Sequence, residues 1–388
     1  MGENLFRDLT APLILDGATG TQLQKRGMPA GSCSEQWLLA HPEAIEFQRR
    51  YVQSGSGAVY APTFGANRAL LSRHGLGGQV GEYNRRLVAL SRQAVGDGVR
   101  VGGDISSTGL LYGSAGEEEF EKLFAIYREQ AEALEAAGVD FFAVETQLSL
   151  NEARAAVLAV KEVSRRPILV SFTLNGSGRT FSGGLLPAAL LSLEALGIDA
   201  FGVNCVDDAG VLERALTELR PLTELPLLVK PNAGLPTIVD GRAVYDLAPE
   251  AMGAMAGRFF ELGAALFGGC CGSDEGHIAA MAQALRGKKL SPRPAPAGRW
   301  CTTEYALLPL EEDTKALSLP VDGEFEENAA QAEAEGARLL SVRVDDERQL
   351  RILLSSQGAV HLPLRPSFSD AALRRRFLRC YAGRADFR

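Results

Sequence analysis

The segment Ala264-Ala265-Leu266-Phe267-Gly268-Gly269-Cys270-Cys271-Gly272-Ser273 joins a short apolar run to a glycine-rich turn with two adjacent cysteines. Seven similar apolar runs precede it, each followed by a polar or glycine-rich loop and then by a helical pattern. This alternation is typical of β-α units. We predict strands at residues 12–16, 58–64, 99–105, 141–146, 168–174, 200–205, 227–233 and 264–270.

The near-continuous apolar character of these runs favours parallel strands that are covered on both faces. Eight β-α units in about 290 residues fit a (β/α)8 barrel better than an open doubly wound sheet. We therefore predict an α/β fold, a TIM barrel with a small C-terminal αβ appendage. In this fold, active sites form at the C-terminal ends of the strands. The polar residues and thiols predicted at that rim are Asp16, Thr63, Asp104, Glu145, Asn204, Cys205, Asn232, Cys270 and Cys271.

Length and charge limit the possible functions. The 388 residues, 46% of them hydrophobic, can form one large core and an appendage. A net charge of −8 argues against nucleic acid or an anionic membrane as the main partner. No apolar run approaches the ~20 residues needed to span a bilayer, and the N-terminal residues lack a secretory pattern. We expect a cytoplasmic protein, in which cysteines serve as metal ligands or free thiols.

The sequence divides into three predicted parts. Residues 1–287 form the barrel, residues 288–299 a proline-rich linker, and residues 300–388 a small αβ module. In the module we predict helices at 328–336, 349–355 and 370–381, and strands at 338–344 and 359–364. This module is too small for a second barrel and shows no catalytic cluster.

Three thiols converge in the predicted barrel, because Cys205 ends the sixth strand and Cys270 and Cys271 end the eighth. Zinc prefers four tetrahedral ligands, so three thiolates would leave one position for water or substrate. Adjacent cysteines do not readily form an ordinary disulfide with each other. Cys205 could instead be a packing residue, and the glycine-rich turn could hold a phosphate. Thiols add nothing to a phosphate site, however, and residues 268–273 contain no lysine.

Five motifs resemble those of the homocysteine S-methyltransferase family, which includes the homocysteine domain of cobalamin-dependent methionine synthase and betaine-homocysteine methyltransferase. They occur in order over residues ~10–286, at spacings that suit eight β-α units. A proline, Pro62, precedes Thr63 where relatives commonly have asparagine, which alters the local rim. The motifs are Asp16-Gly17-Ala18-Thr19-Gly20-Thr21, Thr63-Phe64-Gly65-Ala66-Asn67, Gly202-Val203-Asn204-Cys205, Lys230-Pro231-Asn232-Ala233-Gly234 and Gly269-Cys270-Cys271-Gly272.

The resemblance implies that Cys205, Cys270 and Cys271 bind Zn²⁺ and that the sulfur of homocysteine is the fourth ligand. The implied reaction is methyl transfer to the homocysteine thiol, which gives methionine. Only a thiolate is a good nucleophile, and coordination to zinc favours deprotonation of the thiol. Three protein thiolates donate charge to the metal, so the substrate sulfur stays nucleophilic.

The resemblance also implies roles for residues around the amino-acid end of homocysteine. Glu145 receives the ammonium group with help from Asp16, and backbone amides of Gly17, Ala18 and Thr19 hold the carboxylate. Thr63 and Asn232 belong to the same implied pocket. Asp16 could alternatively cap a turn, and Glu145 could pair with a barrel arginine.

The methyl donor is open, since relatives use methylcobalamin, betaine or S-methylmethionine. The sequence has no Asp-x-His-x-x-Gly cobalamin motif, so we expect methylcobalamin to come from a separate cobalamin-binding protein. A free donor, another thiol or selenol acceptor, and a non-enzymatic zinc scaffold are the alternatives. Residues 300–388 faintly resemble part of a pterin-binding domain, and their basic helix, with Arg374, Arg375, Arg376 and Arg379, could guide an acidic partner.

Overall fold

The computed structural model describes residues 5–110, 116–239, 242–291 and 298–387. Eight parallel strands form one sheet with the order β1-β10-β7-β6-β5-β4-β3-β2. These strands are β1 (Leu13–Ile14), β2 (Ala58–Tyr60), β3 (Arg100–Ile105), β4 (Phe141–Gln147), β5 (Ile168–Phe172), β6 (Ala200–Asn204), β7 (Leu227–Lys230) and β10 (Ala264–Phe267).

The sheet is nearly closed into a barrel. The last strand returns to the first, where Leu13 pairs with Leu266. Between β1 and β2, the amide of Gly57 donates to the carbonyl of Ile14 at 2.8 Å. The predicted (β/α)8 TIM barrel is confirmed.

Several strands end earlier than the sequence predicts. The predicted strands at 58–64, 227–233 and 264–270 stop at Tyr60, Lys230 and Phe267. Pro62 and Pro231 lack the amide donor that a longer strand would need, and the residues beyond these strands turn across the barrel mouth. The rim turns therefore begin closer to the barrel interior than the apolar pattern indicates.

Helices surround the barrel strands. Among the described residues, no helix is long and apolar enough to cross a membrane. A small antiparallel hairpin, β8 (Thr237–Val239) and β9 (Arg242–Val244), follows β7. The barrel helices are α1 (Gly20–Lys25), α2 (Ser34–Ala40), α3 (Glu46–Gln53), α4 (Arg68–Ser72), α5 (Val80–Val95), α6 (Glu117–Ala136), α7 (Leu150–Val163), α8 (Leu186–Glu194), α9 (Ala209–Leu219), α10 (Pro249–Glu261) and α11 (Glu275–Leu285).

The barrel interior is packed at the N-terminal ends of the strands. Phe6 is fully buried there and meets Phe141 edge-on, with ring centroids 5.3 Å apart. Leu15, Leu228 and Leu266 belong to the same buried cluster. Because this end of the barrel is filled, the interior is open only towards the C-terminal ends of the strands.

The C-terminal module has two small sheets. Strands β11 (Arg299–Thr302) and β12 (Leu307–Leu310) are antiparallel, and β13 (Leu317–Leu319), β14 (Leu340–Val344) and β15 (Leu364–Phe368) are parallel. Its helices are α12 (Phe325–Ala334), α13 (Glu347–Ser355) and α14 (Ala371–Cys380).

The sequence misplaced one strand of this module and missed three others. Residues 359–363 are outside the strand predicted at 359–364, and β15 follows them and contains Pro366. Proline is tolerated there because β15 is an edge strand, with only β14 as a neighbour. Strands β11, β12 and β13 were not predicted. Residues 292–297 of the predicted linker lie outside the described residues, so its boundaries remain a prediction.

The module is attached to the barrel through polar contacts. Arg376 binds Glu117 at 2.7 Å, Arg379 binds Glu121, and the guanidinium of Arg379 lies 3.9 Å from the ring centroid of Phe124. The buried Arg154 of α7 donates to the carbonyl of Leu378 at 2.8 Å. Two of the four arginines considered as a partner surface thus bind barrel helix α6.

A second attachment lies on the loops after β4 and β5. The buried carboxylate of Glu304 accepts from the amide of Leu150 at 3.2 Å and from the hydroxyl of Ser182. The backbone carbonyl of Glu304 accepts from the amide of Leu185 at 2.8 Å. The module therefore contacts two of the loops that form the open end of the barrel.

Candidate metal and substrate site

The three predicted cysteines meet at the open end of the barrel. Cys205 follows β6, and Cys270 and Cys271 follow β10; their sulfurs lie within 4.8 Å of one another. The sulfurs of Cys205 and Cys271 are 3.9 Å apart. In a tetrahedral zinc site with Zn–S bonds of about 2.3 Å, two sulfurs are about 3.8 Å apart. The cluster could therefore hold a metal ion.

The end of β7 links the two cysteine segments. The amide of Cys205 donates to the carbonyl of Lys230 at 3.1 Å, and the amide of Cys270 donates to the carbonyl of Pro231 at 2.7 Å. Cys205 itself has a φ of 57°, a left-handed conformation that side chains other than glycine rarely adopt. Such strained residues persist where the surrounding structure fixes them, and they concentrate at functional sites.

At two glycines of the turn, Gly269 and Gly272, the surrounding atoms leave no room for a side chain. A Cβ on Gly269 would lie 2.2 Å from the hydroxyl of Ser273. A Cβ on Gly272 would lie 2.3 Å from the ring of Tyr245, and Gly272 has a φ of 82°. These glycines allow the chain to turn sharply enough for both adjacent thiols to face the same space.

In the absence of a bound cation, the three thiols differ in pKa. Hydrogen bonds from Cys205 and Cys270 lower the pKa of Cys271 to about 3. Hydrogen bonding to Cys205 and Cys271, together with burial, raises the pKa of Cys270 well above its usual value. The protein alone thus favours one thiolate that is stabilised by its thiol neighbours. Deprotonation of all three requires a positive charge among the sulfurs, which is what a divalent metal ion supplies.

A cavity of about 220 Å³ opens beside the sulfurs. A water molecule's share of the liquid is about 30 Å³, so this space admits one small amino acid. Buried ionisable residues and the first β-α loop line it. The ionisable residues include Asp16, Glu35, Tyr60, Asp104, Glu145 and Lys230, and the loop contributes residues 17–21.

Lys230 is the centre of a buried ionic cluster. Its ammonium lies 3.3 Å from Asp16 and 3.4 Å from Glu145, and 3.8 Å from the ring centroid of Tyr60. The second carboxylate oxygen of Asp16 accepts from the amide of Tyr60 at 2.7 Å. Glu145 therefore pairs with a barrel lysine, where the sequence suggested a substrate or an arginine.

Burial and the lysine act on these carboxyl groups in opposite directions. Burial raises the pKa of Asp16 and of Glu145, while Lys230 partly offsets the increase in both. Burial alone would lower the pKa of Lys230, but Glu145, Tyr60 and Asp16 hold that pKa above its usual value. The lysine is therefore charged, and it stabilises the ionised carboxylates.

The other predicted pocket residues divide into two groups. Gly17, Ala18 and Thr19 line the cavity, although the amide of Ala18 already donates to the hydroxyl of Ser273 at 3.0 Å. Thr63 and Asn232 are buried behind the cavity wall and do not line it. The side-chain amide of Asn232 binds Asp207, and the hydroxyl of Thr63 accepts from the amide of Asp104 at 3.0 Å.

Sequence reasoning missed the roles of Lys230 and Tyr60 and gave none to Asp104. Lys230 belongs to one of the five motifs, and a charged residue at the end of the apolar strand Leu227–Lys230 could have indicated its role. Its three partners are Asp16 after β1, Tyr60 in β2 and Glu145 in β4. These residues come close to Lys230 only because the sheet closes into a barrel.

Comparisons with known proteins identify the family of the barrel. Residues 13–285 match the family model described as homocysteine S-methyltransferase. A methionine synthase from Mycobacterium tuberculosis is 29% identical over 325 residues, which is 79% of this chain and 27% of that protein. One from Mycobacterium leprae is 31% identical over 293 residues, 70% of this chain and 24% of that protein. The chain thus spans about a quarter of the length of these relatives.

Solved structures of a homocysteine methyltransferase also superpose on this chain. The metallated form of the homocysteine methyltransferase MmuM from Escherichia coli superposes with a TM-score of 0.60 at 26% identity, covering 71% of this chain and 97% of that one. Its oxidised form has a TM-score of 0.58 at 27% identity, covering 70% and 95%. On the family model, which matches most of the barrel, the chain belongs to the homocysteine S-methyltransferase family.

Proposed function

We propose that this protein, with zinc on Cys205, Cys270 and Cys271, transfers a methyl group to the thiol of homocysteine and forms methionine. The observation that supports this best is the position of the three sulfurs. The three lie within 4.8 Å of one another, Cys205 and Cys271 at the separation expected of two zinc ligands, and they open onto a cavity lined by buried carboxylates. Family membership supports homocysteine as the acceptor.

Bound zinc would favour the thiolate form of the substrate and leave its sulfur nucleophilic. The chain's own residues bind and orient the amino acid. Glu145 and Asp16 attract the ammonium group, while Gly17 and Thr19 border the space for the carboxylate. The sulfur lone pair forms the new bond to carbon, the bond from carbon to the donor breaks with its electrons on the donor, and the thiol proton goes to solvent.

For the donor, we propose methylcobalamin carried by a separate protein. The motifs shared with the homocysteine domain of cobalamin-dependent methionine synthase support this choice, and the sequence contains no cobalamin motif of its own. Arg374 and Arg375 remain exposed on α14 and are available to an acidic partner. S-methylmethionine and betaine are the alternatives that a donor comparison must exclude.

The test is methionine formation by zinc-loaded full-length protein with homocysteine and each donor in turn. We expect turnover with methylcobalamin, faster when it is carried by a protein, and loss of zinc and activity in Cys270→Ala. Turnover only with S-methylmethionine or betaine would overturn the donor assignment. Zinc retention in Cys270→Ala would overturn the metal ligands, and no methionine with any donor would overturn the reaction.

A further inference from the structure

Asp104 lies in the wall of the cavity, and one of its carboxyl oxygens has no hydrogen-bond partner among the described residues. It is the next-to-last residue of β3, is 6% exposed and lines the same cavity as Glu145. Among the described residues, no group donates a hydrogen bond to its Oδ1. Asp16 differs, because the amide of Tyr60 and the ammonium of Lys230 each donate to one of its oxygens.

Lys230 does not satisfy Asp104. In the described part of the chain, its ammonium makes ion pairs with Asp16 and Glu145 and lies over the ring of Tyr60. Asp16, Glu145 and Asp104 are thus three buried carboxyl groups near one lysine. In the described residues, Lys230 forms ion pairs with Asp16 and Glu145 and not with Asp104. Leaving a buried polar group without a partner costs about 1–3 kcal/mol. A functional site can accept this cost if a ligand supplies the missing donor.

The backbone of Asp104 is held firmly, although its Oδ1 has no partner in the described part of the chain. The hydroxyl of Thr63 accepts from the amide of Asp104 at 3.0 Å and donates to its carbonyl at 2.9 Å. The buried side chain of Gln130 donates to the same carbonyl at 3.3 Å. These contacts fix the point from which the carboxyl group enters the cavity. Such support is expected for a group that must meet a ligand in one orientation.

We propose that Asp104 is a substrate-binding residue that accepts a hydrogen bond from the ammonium group of the amino-acid substrate, next to Glu145. Thr63 is a positioning residue that acts through Asp104. This inference rests on the proposed function and deepens it. Asp104 and Glu145 together make the cavity selective for thiols that carry a free ammonium group, because only a cation offsets two adjacent carboxylates.

The electrostatic environment of Asp104 supports the same role. Burial and the neighbouring Glu145 raise the pKa of Asp104 well above its usual value, and Asp16 and Glu35 act in the same direction. Lys230 opposes them. A substrate ammonium entering between Asp104 and Glu145 would supply the positive charge that this group of carboxyls lacks.

The test compares two ligands that differ only in the ammonium group, homocysteine and 4-sulfanylbutanoic acid. Calorimetry on zinc-loaded full-length protein measures both with the parent and with Asp104→Asn. A charge-assisted hydrogen bond contributes about 1.5–3 kcal/mol, so we expect homocysteine to bind roughly 10- to 100-fold more weakly to the variant. Binding of 4-sulfanylbutanoic acid should change less than about twofold.

Two further variants separate this effect from damage to the fold. Thr63→Val removes the hydroxyl that holds Asp104 and should weaken homocysteine selectively, by less than Asp104→Asn does. Asp246→Asn makes the same charge change on an exposed rim residue outside the cavity wall and should leave both ligands unaffected. Zinc content and thermal midpoint are measured for every variant.

Unchanged homocysteine affinity in Asp104→Asn would overturn the role of Asp104 and leave the proposed function standing. Equal weakening of both ligands would also overturn it, since the effect would then not involve the ammonium group. If the parent protein binds no homocysteine, the proposed function fails and this inference fails with it. If Asp104→Asn does not fold, the ligand selectivity of Thr63→Val decides the question.

Discussion

Lys230 illustrates how one residue can define the chemistry of a site. It is 3% exposed, yet it carries a charge that two carboxylates and an aromatic ring stabilise. Its aliphatic chain lies along the barrel interior while its ammonium reaches the cavity. In the proposed function, the substrate ammonium enters a space in which Asp16 and Glu145 already have a cationic partner.

Replacing Lys230 by methionine should destabilise the protein strongly. The change leaves Asp16 and Glu145 buried without their cation, and breaking a buried ion pair in this way costs about 3–5 kcal/mol. The free energy of unfolding from urea titration measures the effect. As a control, Lys122→Met removes a surface ion pair with Glu118 and should cost less than about 1 kcal/mol. Similar losses in the two variants would contradict the buried cluster.

A second residue-scale prediction concerns stability and pH in the ligand-free protein. The pKa of Asp104 is raised well above 3.8 in the folded state, so the folded protein favours the protonated carboxyl. Stability from this group is fully present only below the ordinary pKa of 3.8, and it is lost as the pH rises from there through the raised pKa of the folded state. Asparagine has no proton to lose in this pH range, so Asp104→Asn keeps this stability. The variant should be more stable than the parent by about 1–3 kcal/mol at pH 8.

This difference between Asp104→Asn and the parent should shrink towards pH 5, because the parent carboxyl is then increasingly protonated. Urea titrations at several pH values, with Asp246→Asn as the exposed control, measure it. A parent protein that is more stable than Asp104→Asn at pH 8 would show that the carboxylate has a partner in the free protein.

At the scale of elements, the turn after β10 depends on its glycines. Gly272→Ala places a Cβ against Tyr245 at a positive φ, so the turn must shift and move Cys271. We expect zinc affinity to fall at least ~10-fold while the barrel stays folded, since the turn lies at the rim and outside the core. Competition with a chelator, together with circular dichroism, measures both properties.

Gly257→Ala is the matched control for this change. Gly257 lies within α10, where an added Cβ meets nothing within 4 Å. This variant should keep its zinc affinity and gain slightly in stability, because alanine is the better helix former. Normal zinc affinity in Gly272→Ala would show that the turn tolerates a side chain.

The sequence predicted the barrel elements better than those of the C-terminal module. Each barrel strand is a separate apolar run followed by a loop, so strand order and the rim positions of Cys205, Cys270 and Cys271 followed from the pattern. The module has short strands with polar faces, and Pro366 argued against β15. The contacts of Lys230, Asp104 and Glu304 join distant segments, and periodicity carries no information about such pairs.

At the scale of the whole molecule, Glu304 connects the module to the mouth of the barrel. Its carboxylate accepts from Leu150 and Ser182, and burial raises its pKa. Glutamine retains an acceptor without a buried charge, so Glu304→Gln should stay within about 1 kcal/mol of the parent. Glu304→Leu leaves the buried amide of Leu150 without its acceptor and should cost about 1–3 kcal/mol.

Urea titration of the Glu304 pair measures the stability difference, and limited proteolysis of the loop that contains Ser182 reports its position. Faster cleavage is expected in Glu304→Leu only. If leucine is tolerated as well as glutamine, the Glu304 carboxylate does not contribute to holding the module against the barrel. The predicted relationship of residues 300–388 to a pterin-binding domain remains a prediction.

The joining of Leu13 to Leu266 across the barrel has a consequence for protein synthesis. The ribosome releases Cys205 long before Cys270 and Cys271, and the barrel cannot close until β10 has emerged to pair with β1. Until then Cys205 lacks the two thiols that it meets in the folded barrel, and oxidants or stray metal ions can reach it. If the three thiols bind a metal ion as proposed, the complete ligand set forms only after Cys271 has been synthesised.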